Sequence, residues 1–378
     1  MRASRVNEGK IHQGFLYAKD PSKRTARLMA EGALAFAACL SRWLDLADAP
    51  LEVSTPFVYA VHKESMVDID DLRRHYAGCV SILHEMQASS GLRYLGRDEP
   101  ASFRELSRHE LESILDPNHF AGAFVTSERS VDPRGLAGRL RDAVVAESRI
   151  TFIGNSLVVG VTRRKAGGFD VAFDNDGAQQ AGPYDHVVNA LWEGRLAIDR
   201  SMGLEPTQSW MFRHKFGNRV SVPLNPGDLP SVTMVLGPFG DIVNFGRNGL
   251  YLSWYPFGMV DASFDLQPPP RWARLDPSSR FDVFDRSLKK WSSFCPKLKD
   301  IDFSRSMVDP SSGVIFAWGD TDIGDPHSRL HDRYGIGVES IDGYHTVNSG
   351  KYTMVPYFGL TAAERVLGQE RKAGIRRA

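Results

Sequence analysis

The sequence predicts a mixed α/β fold in which helices and sheets are interleaved along the chain. Apolar residues recur at helical spacing in several segments, and short segments rich in β-branched and aromatic residues lie between them. From residue 150 onward, short strands separated by Gly, Asn and Asp turns predominate. Because helices and strands do not alternate strictly, part of the sheet structure is expected to be mixed or antiparallel.

Helix starts are indicated by residues that cap the first turn. The four capping patterns are Asp20-Pro21, Asp68 or Asp70, Ser107 to Glu110, and Asp132-Pro133. Behind the first of them, apolar residues continue at helical spacing as far as Trp43, so this helix is expected to bury one face. Two more helices are predicted at Arg280–Phe294 and Tyr357–Leu367.

Segments of high β-propensity predict the strands. They are Phe57–Val61, Phe120–Thr126, Ile150–Ile153, Leu157–Val161, Phe169–Phe173, His186–Ala190, and several strands between Phe212 and Asp261. In the last group, alternation places Tyr251, Ser253 and Tyr255 on one face of a strand. That face can line a pocket or pack in the core, and the sequence favours neither.

Composition narrows the classes of function. The 378 residues fit about two domains. Lys+Arg and Asp+Glu both total 46, so the chain lacks the basic excess of a nucleic-acid-binding protein. The three cysteines are far apart, which argues for a reducing compartment. With no apolar leader and no bilayer-length apolar run, we expect a cytoplasmic protein without a membrane span, and the oligomeric state stays open.

No metal site is predicted. Asp320, Asp322 and Asp325 lack the Gly and the distal Glu of a calcium-binding loop, so we expect them in a turn. His327 and His331 are four residues apart, but no Glu follows the first histidine as it does in zinc-protease helices.

Three short segments rich in small residues each adjoin a predicted strand or helix. They are Ser4–Tyr17, Val187–Trp192 and Gly343–Thr353. Backbone N–H groups converge at strand ends and helix starts and gather ligands there. Taken singly, each segment is also compatible with an ordinary tight turn.

Taken together and in this order, the segments resemble the FAD-dependent oxidoreductases of the D-amino-acid oxidase superfamily, which includes glycine oxidase, glycerol-3-phosphate dehydrogenase and L-2-hydroxyglutarate dehydrogenase. Asn7–Tyr17 resembles the flavin-side loop with its Asn-x-Gly-x-Ile-His-x-Gly pattern. Val187–Ala190 resembles the Val-Val-Asn-Ala strand that returns to the cofactor, and Gly350–Thr353 is similar to the C-terminal turn facing the flavin pyrimidine ring. Asp132–Leu140 with Val158-Val159 resembles the elements that close over the adenine.

The resemblance implies a set of FAD contacts. They are Ser4, Asn7, Gly9, Ile11, His12, Val158, Ala190, Leu191, Trp192, Gly350, Lys351, Tyr352 and Thr353. It also implies a Rossmann-like FAD-binding domain from residues 1–50, 128–200 and 305–378, and a discontinuous substrate domain with a mixed or antiparallel sheet from residues 51–127 and 201–304. The implied reaction is oxidation of a CH–OH or CH–NH bond by hydride transfer to the flavin, with a small hydroxy acid or amino acid as substrate.

Four residues are candidates for catalysis. His12 is expected nearest the flavin, where it could take a proton from the substrate, although a loop histidine bonded to a carbonyl would fit the pattern too. Arg213 could bind a substrate carboxylate or be a solvated strand end. Tyr255 could line the substrate pocket or pack in the core. By resemblance, Arg333 is a possible substrate or flavin contact.

One departure from the family pattern is large. The family begins with a strand, a Gly-x-Gly-x-x-Gly turn, a helix, and a second strand ending in Glu, which together bind the diphosphate and a ribose. Here Ser4 lies just after the place where that second strand would end, so the first βαβ unit is expected to be missing. A misassigned start is the favoured explanation; a truncated gene or a second polypeptide that completes the site are the others. The alternative function is a non-catalytic remnant or binding protein that holds no flavin.

Overall fold

The helices of this protein are distributed along the whole chain. A computed structural model describes residues 3–225, 227–274 and 277–368, so the tail predicted to close the third cofactor segment, residues 369–378, lies outside the described residues. The described helices are α1 (Arg24–Leu40), α2 (Ile69–Ser90), α3 (Arg108–Glu112), α4 (Pro133–Ala146), α5 (Arg195–Ser201), α6 (Tyr255–Gly258), α7 (Pro277–Phe294) and α8 (Val355–Val366).

The described strands belong to four sheets, of which one is large. The strands are β1 (Lys10–Ile11), β2 (Phe57–His62), β3 (Phe103–Glu105), β4 (Phe120–Thr126), β5 (Arg129–Ser130), β6 (Leu157–Arg163), β7 (Phe169–Asp174), β8 (Ala178–Tyr184), β9 (Val187–Asn189), β10 (Trp210–Val220), β11 (Ser231–Val235), β12 (Gly240–Asn244), β13 (Leu250–Trp254), β14 (Met259–Ser263), β15 (Val308–Trp318), β16 (Gly337–Ile341) and β17 (Tyr344–Asn348).

The large sheet is mixed, as the sequence predicts. Its order is β14-β10-β13-β12-β11-β2-β4-β3, and β15 pairs with β10 along its full length, from Trp210 opposite Trp318 to Val220 opposite Val308. The β11–β2 pair is parallel and the other pairs of this sheet are antiparallel. Although β15 falls within the third predicted cofactor segment, it is part of this sheet.

Both faces of the large sheet are covered, which explains why its central strands are buried almost throughout. On one face Leu252 and Trp254 of β13 pack in a cluster with Trp291 of α7. On the other face Tyr59 of β2 packs with Tyr76 of α2, and their rings meet edge to face with centroids 5.9 Å apart. The sheet is therefore packed on both faces and supports the elements around it.

A smaller sheet of three strands has the order β16-β17-β9, and β17 and β9 are parallel. A buried polar network holds its two parallel strands to α5. Asp199 of α5 accepts hydrogen bonds from Asn189 Nδ2 (2.8 Å), Tyr344 Oη (2.8 Å), Thr346 Oγ1 (2.9 Å) and Arg195 Nη1 (2.9 Å). In the described part of the chain, β9 pairs with a strand on one side only.

The predicted strand Ile150–Ile153 is wrong. This segment forms no strand, and the side chains of Ile150, Phe152 and Ile153 are 46%, 52% and 49% exposed. A strand requires a neighbour for its backbone N–H and C=O groups, and no described segment pairs with this one. In contrast, β8 was not predicted, because its Gln- and Gly-rich sequence carries little β-propensity.

Three of the four predicted helix starts are confirmed. Asp68 and Asp132 cap α2 and α4 through their side chains, and Ser107 forms the predicted capping box at α3. The first start is wrong by a turn: the Asp20 carboxylate accepts hydrogen bonds from the Ser22 and Thr25 backbone and closes a separate turn before α1. Trp43 lies beyond that helix and is 44% exposed.

The end of the aromatic strand also differs from the expectation. Tyr255 begins the short helix α6 instead of continuing β13, so it does not share a strand face with Tyr251 and Ser253. Pro256 directly after it cannot donate to a strand ladder, which accounts for the change.

Among the residues that the structure describes, no helix is long and apolar enough to cross a membrane. Nor do these residues contain a group of three or more His, Cys, Asp and Glu side chains arranged to hold a metal ion.

The covered sheet predicts a stability contrast between two leucines on strands. Leu252 is fully buried and Leu157 is 67% exposed. Leu252→Ala should lower the free energy of unfolding by about 2–5 kcal/mol, because it leaves a cavity in the sheet core. Leu157→Ala should change it by no more than about 0.5 kcal/mol. Urea unfolding followed by tryptophan fluorescence measures both, and equal losses would contradict this description of the core.

Candidate active site

A cavity of about 500 Å³ lies where the chain start, the small sheet and the large sheet meet. Its floor includes Lys215 to Gly217 of β10 and Gly313 to Ile315 of β15, and one wall is formed by α8. All three segments singled out in the sequence reach it. The predicted site residues that line it are Ser4, Asn7, His12, Ala190, Trp192, Arg333, Gly350, Lys351 and Tyr352.

Seven predicted site residues are not part of that lining. They are Gly9, Ile11, Val158, Leu191, Arg213, Tyr255 and Thr353. Ile11 is fully buried in the core beside α1, and Val158 packs in a separate cluster at β6. Leu191 is 40% exposed.

Gly9 acts through the backbone. Its φ is +68°, and a Cβ at this position would lie 2.0 Å from the Val131 carbonyl oxygen. Only glycine allows this close approach, which places β1 against β5. Thr353 likewise has a supporting role, because its Oγ1 accepts a hydrogen bond from the His12 backbone N–H at 2.8 Å.

From Glu8 to His12, every second residue faces the cavity: Glu8, Lys10 and His12 all line it. The intervening Ile11 points into the core. This alternation follows from the extended backbone of β1. Glu8, Lys10 and His12 therefore place a carboxyl group, an amine and an imidazole in a row along one wall of the cavity.

His12 is buried, and a carboxylate lies behind it. Its Nδ1 is 3.3 Å from Glu128 Oε1, and its ring meets Tyr17 edge to face. Burial lowers the pKa of His12 below its ordinary value of 6.5, against the opposing effect of Glu128. The imidazole is therefore neutral at neutral pH, which is the form that can accept a proton.

Glu128 was not found from the sequence, since nothing in the segment between β4 and β5 marks it. It is completely buried and accepts hydrogen bonds from the Tyr59 hydroxyl and from the Gln13 backbone N–H at 2.6 Å. Burial raises the pKa of Glu128, but His12, Lys10 and Tyr59 together outweigh it and hold that pKa below the ordinary value. The carboxylate is therefore ionised.

Lys10 is held by a buried ion pair with the large sheet. Its Nζ donates to Asp241 Oδ1 at 2.8 Å and to Thr233 Oγ1 at 2.5 Å, and it lies 4.2 Å from the centre of the Phe57 ring. Burial raises the pKa of Asp241, but the charges of Lys10 and Lys215 reverse that effect and hold it well below its usual range.

Two more lysines, Lys215 and Lys351, line the cavity near Glu8. Burial lowers the pKa of Lys351 to about 8, and the neighbouring Arg333 adds to that effect. Lys215 lies over the Tyr255 ring at 5.4 Å. Together with Lys10 and Arg333, these side chains give the cavity a cationic lining that complements an anionic ligand.

Arg213 is buried instead of solvated, with only 2% of its surface exposed. Its Nη1 lies 3.3 Å from Asp322 Oδ1 and 3.4 Å from the Tyr255 hydroxyl, and Tyr255 donates to the same Asp322 oxygen at 2.5 Å. Burial raises the pKa of Tyr255 to about 12. Among the described residues, Nε and Nη2 of Arg213 have no hydrogen-bond partner.

Arg333 brings a second guanidinium group to the same region. Its Nε donates to the Leu330 carbonyl oxygen at 3.1 Å, and its side chain reaches the cavity. Burial lowers the pKa of Arg333 to about 10, and the charge of Arg213 contributes. The nearby Tyr17 hydroxyl is buried with no partner in the described ranges. Two guanidinium groups with spare donors match the geometry of a carboxylate.

A cavity with apolar walls and a few converging charged groups, set between a large sheet and a smaller mixed one, is typical of an enzyme that binds an organic cofactor. The chain matches the model of the FAD dependent oxidoreductase family over residues 1–365. It therefore belongs to that family, and FAD is its cofactor.

Solved structures of several oxidases have the same fold. Glycine oxidase from Geobacillus kaustophilus and iminodiacetate oxidase from Chelativorans sp. BNC1 are each 16% identical to this chain with TM-scores of 0.65; the matches cover 100% and 99% of this chain and 88% of each of theirs. L-alpha-glycerophosphate oxidase from Mycoplasma pneumoniae, solved with FAD bound, is 14% identical with a TM-score of 0.59 and coverage of 97% and 85%. No curated protein sequence matches the chain.

The cavity fits the ring end of FAD. Gly359, Ala362 and Ala363 give α8 a face of small side chains along it. At Gly350, φ is +60° and a Cβ would lie 2.7 Å from Ile336, so this position favours glycine. The backbone therefore borders the cavity here without a side chain. For the diphosphate end, the described residues contain no strand, glycine-rich turn and helix in succession.

The pKa of Lys351 predicts a pH dependence of anion binding. Below pH 8 its amine is cationic, and above pH 8 it is neutral, so attraction for an anion is lost as the pH rises. The Kd of benzoate, measured by calorimetry, should therefore rise severalfold between about pH 7 and about pH 9. Lys351→Arg keeps the charge and should remove this rise, because arginine stays protonated throughout. A rise of the same size in Lys351→Arg would exclude Lys351 as its source.

Proposed function

We propose that this protein oxidises a CH–OH or CH–NH bond in a small acid of the hydroxy-acid or amino-acid class. The observation that carries this proposal is that the neutral, buried His12 and the guanidinium group of Arg333 line one cavity, with the guanidinium group of Arg213 close to Arg333. Glycine oxidase, iminodiacetate oxidase and L-amino acid deaminase share the fold, which agrees with a substrate that bears a carboxylate.

The two arginines and two tyrosines would hold the substrate. Arg333 reaches the cavity directly, and Arg213 lies close to it with two nitrogens, Nε and Nη2, that have no hydrogen-bond partner among the described residues. A carboxylate between them accepts charge-assisted hydrogen bonds from both guanidinium groups and from the Tyr17 hydroxyl. Asp322 keeps Arg213 and Tyr255 in place through their shared hydrogen bonds. Charge and geometry together orient the substrate carbon.

His12 would take the proton. With the carboxylate held at the arginines, the hydroxyl or amine on the adjacent carbon is directed to the wall of β1, where the neutral imidazole accepts its proton. Bound FAD supplies the two-electron acceptor for this oxidation. Ala190, Trp192 and the turn at Gly350 and Lys351 would hold the cofactor's ring end.

The diphosphate end of FAD would need one more unit. Among the described residues, β9 lies parallel to β17 and pairs with no strand on its other side, and the segment Ile150–Ile153, which pairs with no described strand, exposes three large apolar side chains. A strand, glycine-rich turn and helix added at this edge would cover apolar surface and supply N–H groups to the phosphates. We propose that such a unit, on a preceding segment or on a second polypeptide, completes the site.

A first prediction concerns His12. In flavin-loaded protein, His12→Ala should slow flavin reduction by the best substrate from a panel of amino and hydroxy acids by about 10²–10⁴-fold, because the proton acceptor is lost. FAD affinity should change little. Stopped-flow absorbance measures the rate, and His62→Ala, another buried histidine outside the cavity lining, is the matched control. An unchanged rate would remove His12 from the mechanism.

A second prediction concerns the open edge. Fusing a dinucleotide-binding βαβ unit from a flavin-binding relative ahead of residue 3 should yield a protein that retains FAD through gel filtration, seen by its visible absorbance. The same fusion with bulky residues in place of the turn glycines should lose FAD, because the phosphates can no longer approach the backbone. Equal absorbance from both fusions would rule out the proposed unit, and colourless protein from both, with FAD supplied, would favour the non-flavin alternative.

A further inference from the structure

The buried carboxylate of Glu128 is not part of the cavity lining, yet it lies directly behind a residue that is. We propose that Glu128 is a positioning residue that keeps the proton of neutral His12 on Nδ1 and so leaves Nε2 as the acceptor that faces the cavity. This inference rests on the proposed function, in which His12 takes a proton from the substrate.

The geometry around His12 allows one assignment of its ring nitrogens. Thr353 holds the backbone of His12, and Nδ1 points toward Glu128 Oε1 at 3.3 Å. This distance makes an ion-pair contact, although the contact is not aligned as a hydrogen bond. Nε2 is then the ring nitrogen on the cavity side, since Nδ1 is committed to the carboxylate.

Glu128 can act only as an acceptor. One of its oxygens receives the Gln13 backbone N–H and the other receives the Tyr59 hydroxyl, and both donors are buried. The positive charge of Lys10, which lies over the Tyr59 ring at 5.6 Å, favours the ionised carboxylate. An ionised carboxylate has no proton to give, so the nitrogen that faces it must carry one.

The substitution Glu128→Gln would reverse this assignment. The Gln13 backbone N–H can only donate, so the amide oxygen of the new side chain must face Gln13. Its NH₂ group is then directed to the site of Oε1, toward His12 Nδ1 and Tyr59. An amide NH₂ donates, which makes Nδ1 the acceptor and moves the histidine proton to Nε2. The residue that faces the cavity would become a donor.

Long-range ¹H–¹⁵N correlation spectra of the full-length protein, labelled at histidine, show which nitrogen bears the proton. The His12 signal is assigned by its absence in His12→Ala. We expect an Nδ1–H tautomer in the native protein and an Nε2–H tautomer in Glu128→Gln. Tyr59→Phe, which removes the other side-chain donor to Glu128 and leaves the carboxylate, is the matched control and should keep the Nδ1–H tautomer. An Nε2–H tautomer in the native protein would overturn the proposal even if Glu128→Gln did not fold.

Kinetics of flavin-loaded protein separate this inference from the function it rests on. If both hold, Glu128→Gln should reverse the tautomer and slow flavin reduction by about 10²-fold or more, while Tyr59→Phe does neither. A reversed tautomer with an unchanged rate would leave Glu128 as the positioning residue and would remove His12 as the base. An unchanged tautomer in Glu128→Gln would overturn the positioning role, whatever the rate.

Discussion

The buried ion pair between Lys10 and Asp241 is the contact on which the geometry of the site depends. It joins the two-residue strand β1, which among the described strands pairs only with β5, to the centre of the large sheet. The Lys10 carbonyl oxygen also accepts a hydrogen bond from Thr353 Oγ1, so the same residue is tied to the C-terminal turn. Removing one partner of such a pair typically costs about 3–5 kcal/mol, since the other charge stays buried. This ion pair therefore fixes the cavity wall that carries His12 against the large sheet.

That ion pair belongs to a larger balance of charge. The cavity lining carries Lys10, Lys215, Lys351 and Arg333, and the anions that offset them are Glu8 in the lining and Asp241 and Glu128 behind it. Arg213 has its own counter-ion in Asp322. Because the cations outnumber the anions, a bound acid brings the net charge of the site closer to zero. Anion recognition and the integrity of the folded site therefore depend on the same groups.

The sequence was sufficient for the parts of the structure that are local. Capping residues identified α2, α3 and α4, and the spacing of three small-residue segments identified the elements that meet at the cavity. It was insufficient where a role depends on a distant partner. Glu128 contacts His12 and Asp241 contacts Lys10, each more than a hundred residues away in sequence, and no local pattern marks either carboxylate. Ile150–Ile153 has strand propensity but no described neighbour, so propensity alone did not make a strand.

The two titrating groups at the cavity define the pH range in which the proposed chemistry is possible. His12 must be neutral to accept a proton, and because burial lowers its pKa, it is neutral above pH 6.5 and somewhat below. Lys351 must be charged to attract an anion, which holds below pH 8. Both conditions are met together at neutral pH. Toward acid pH a further limit appears, because Glu128 and Asp241 have depressed pKa values and their contribution to stability is lost once they are protonated. Burial thus lowers the pKa of both His12 and Lys351, which keeps the base neutral and sets the upper pH limit for attraction of an anion.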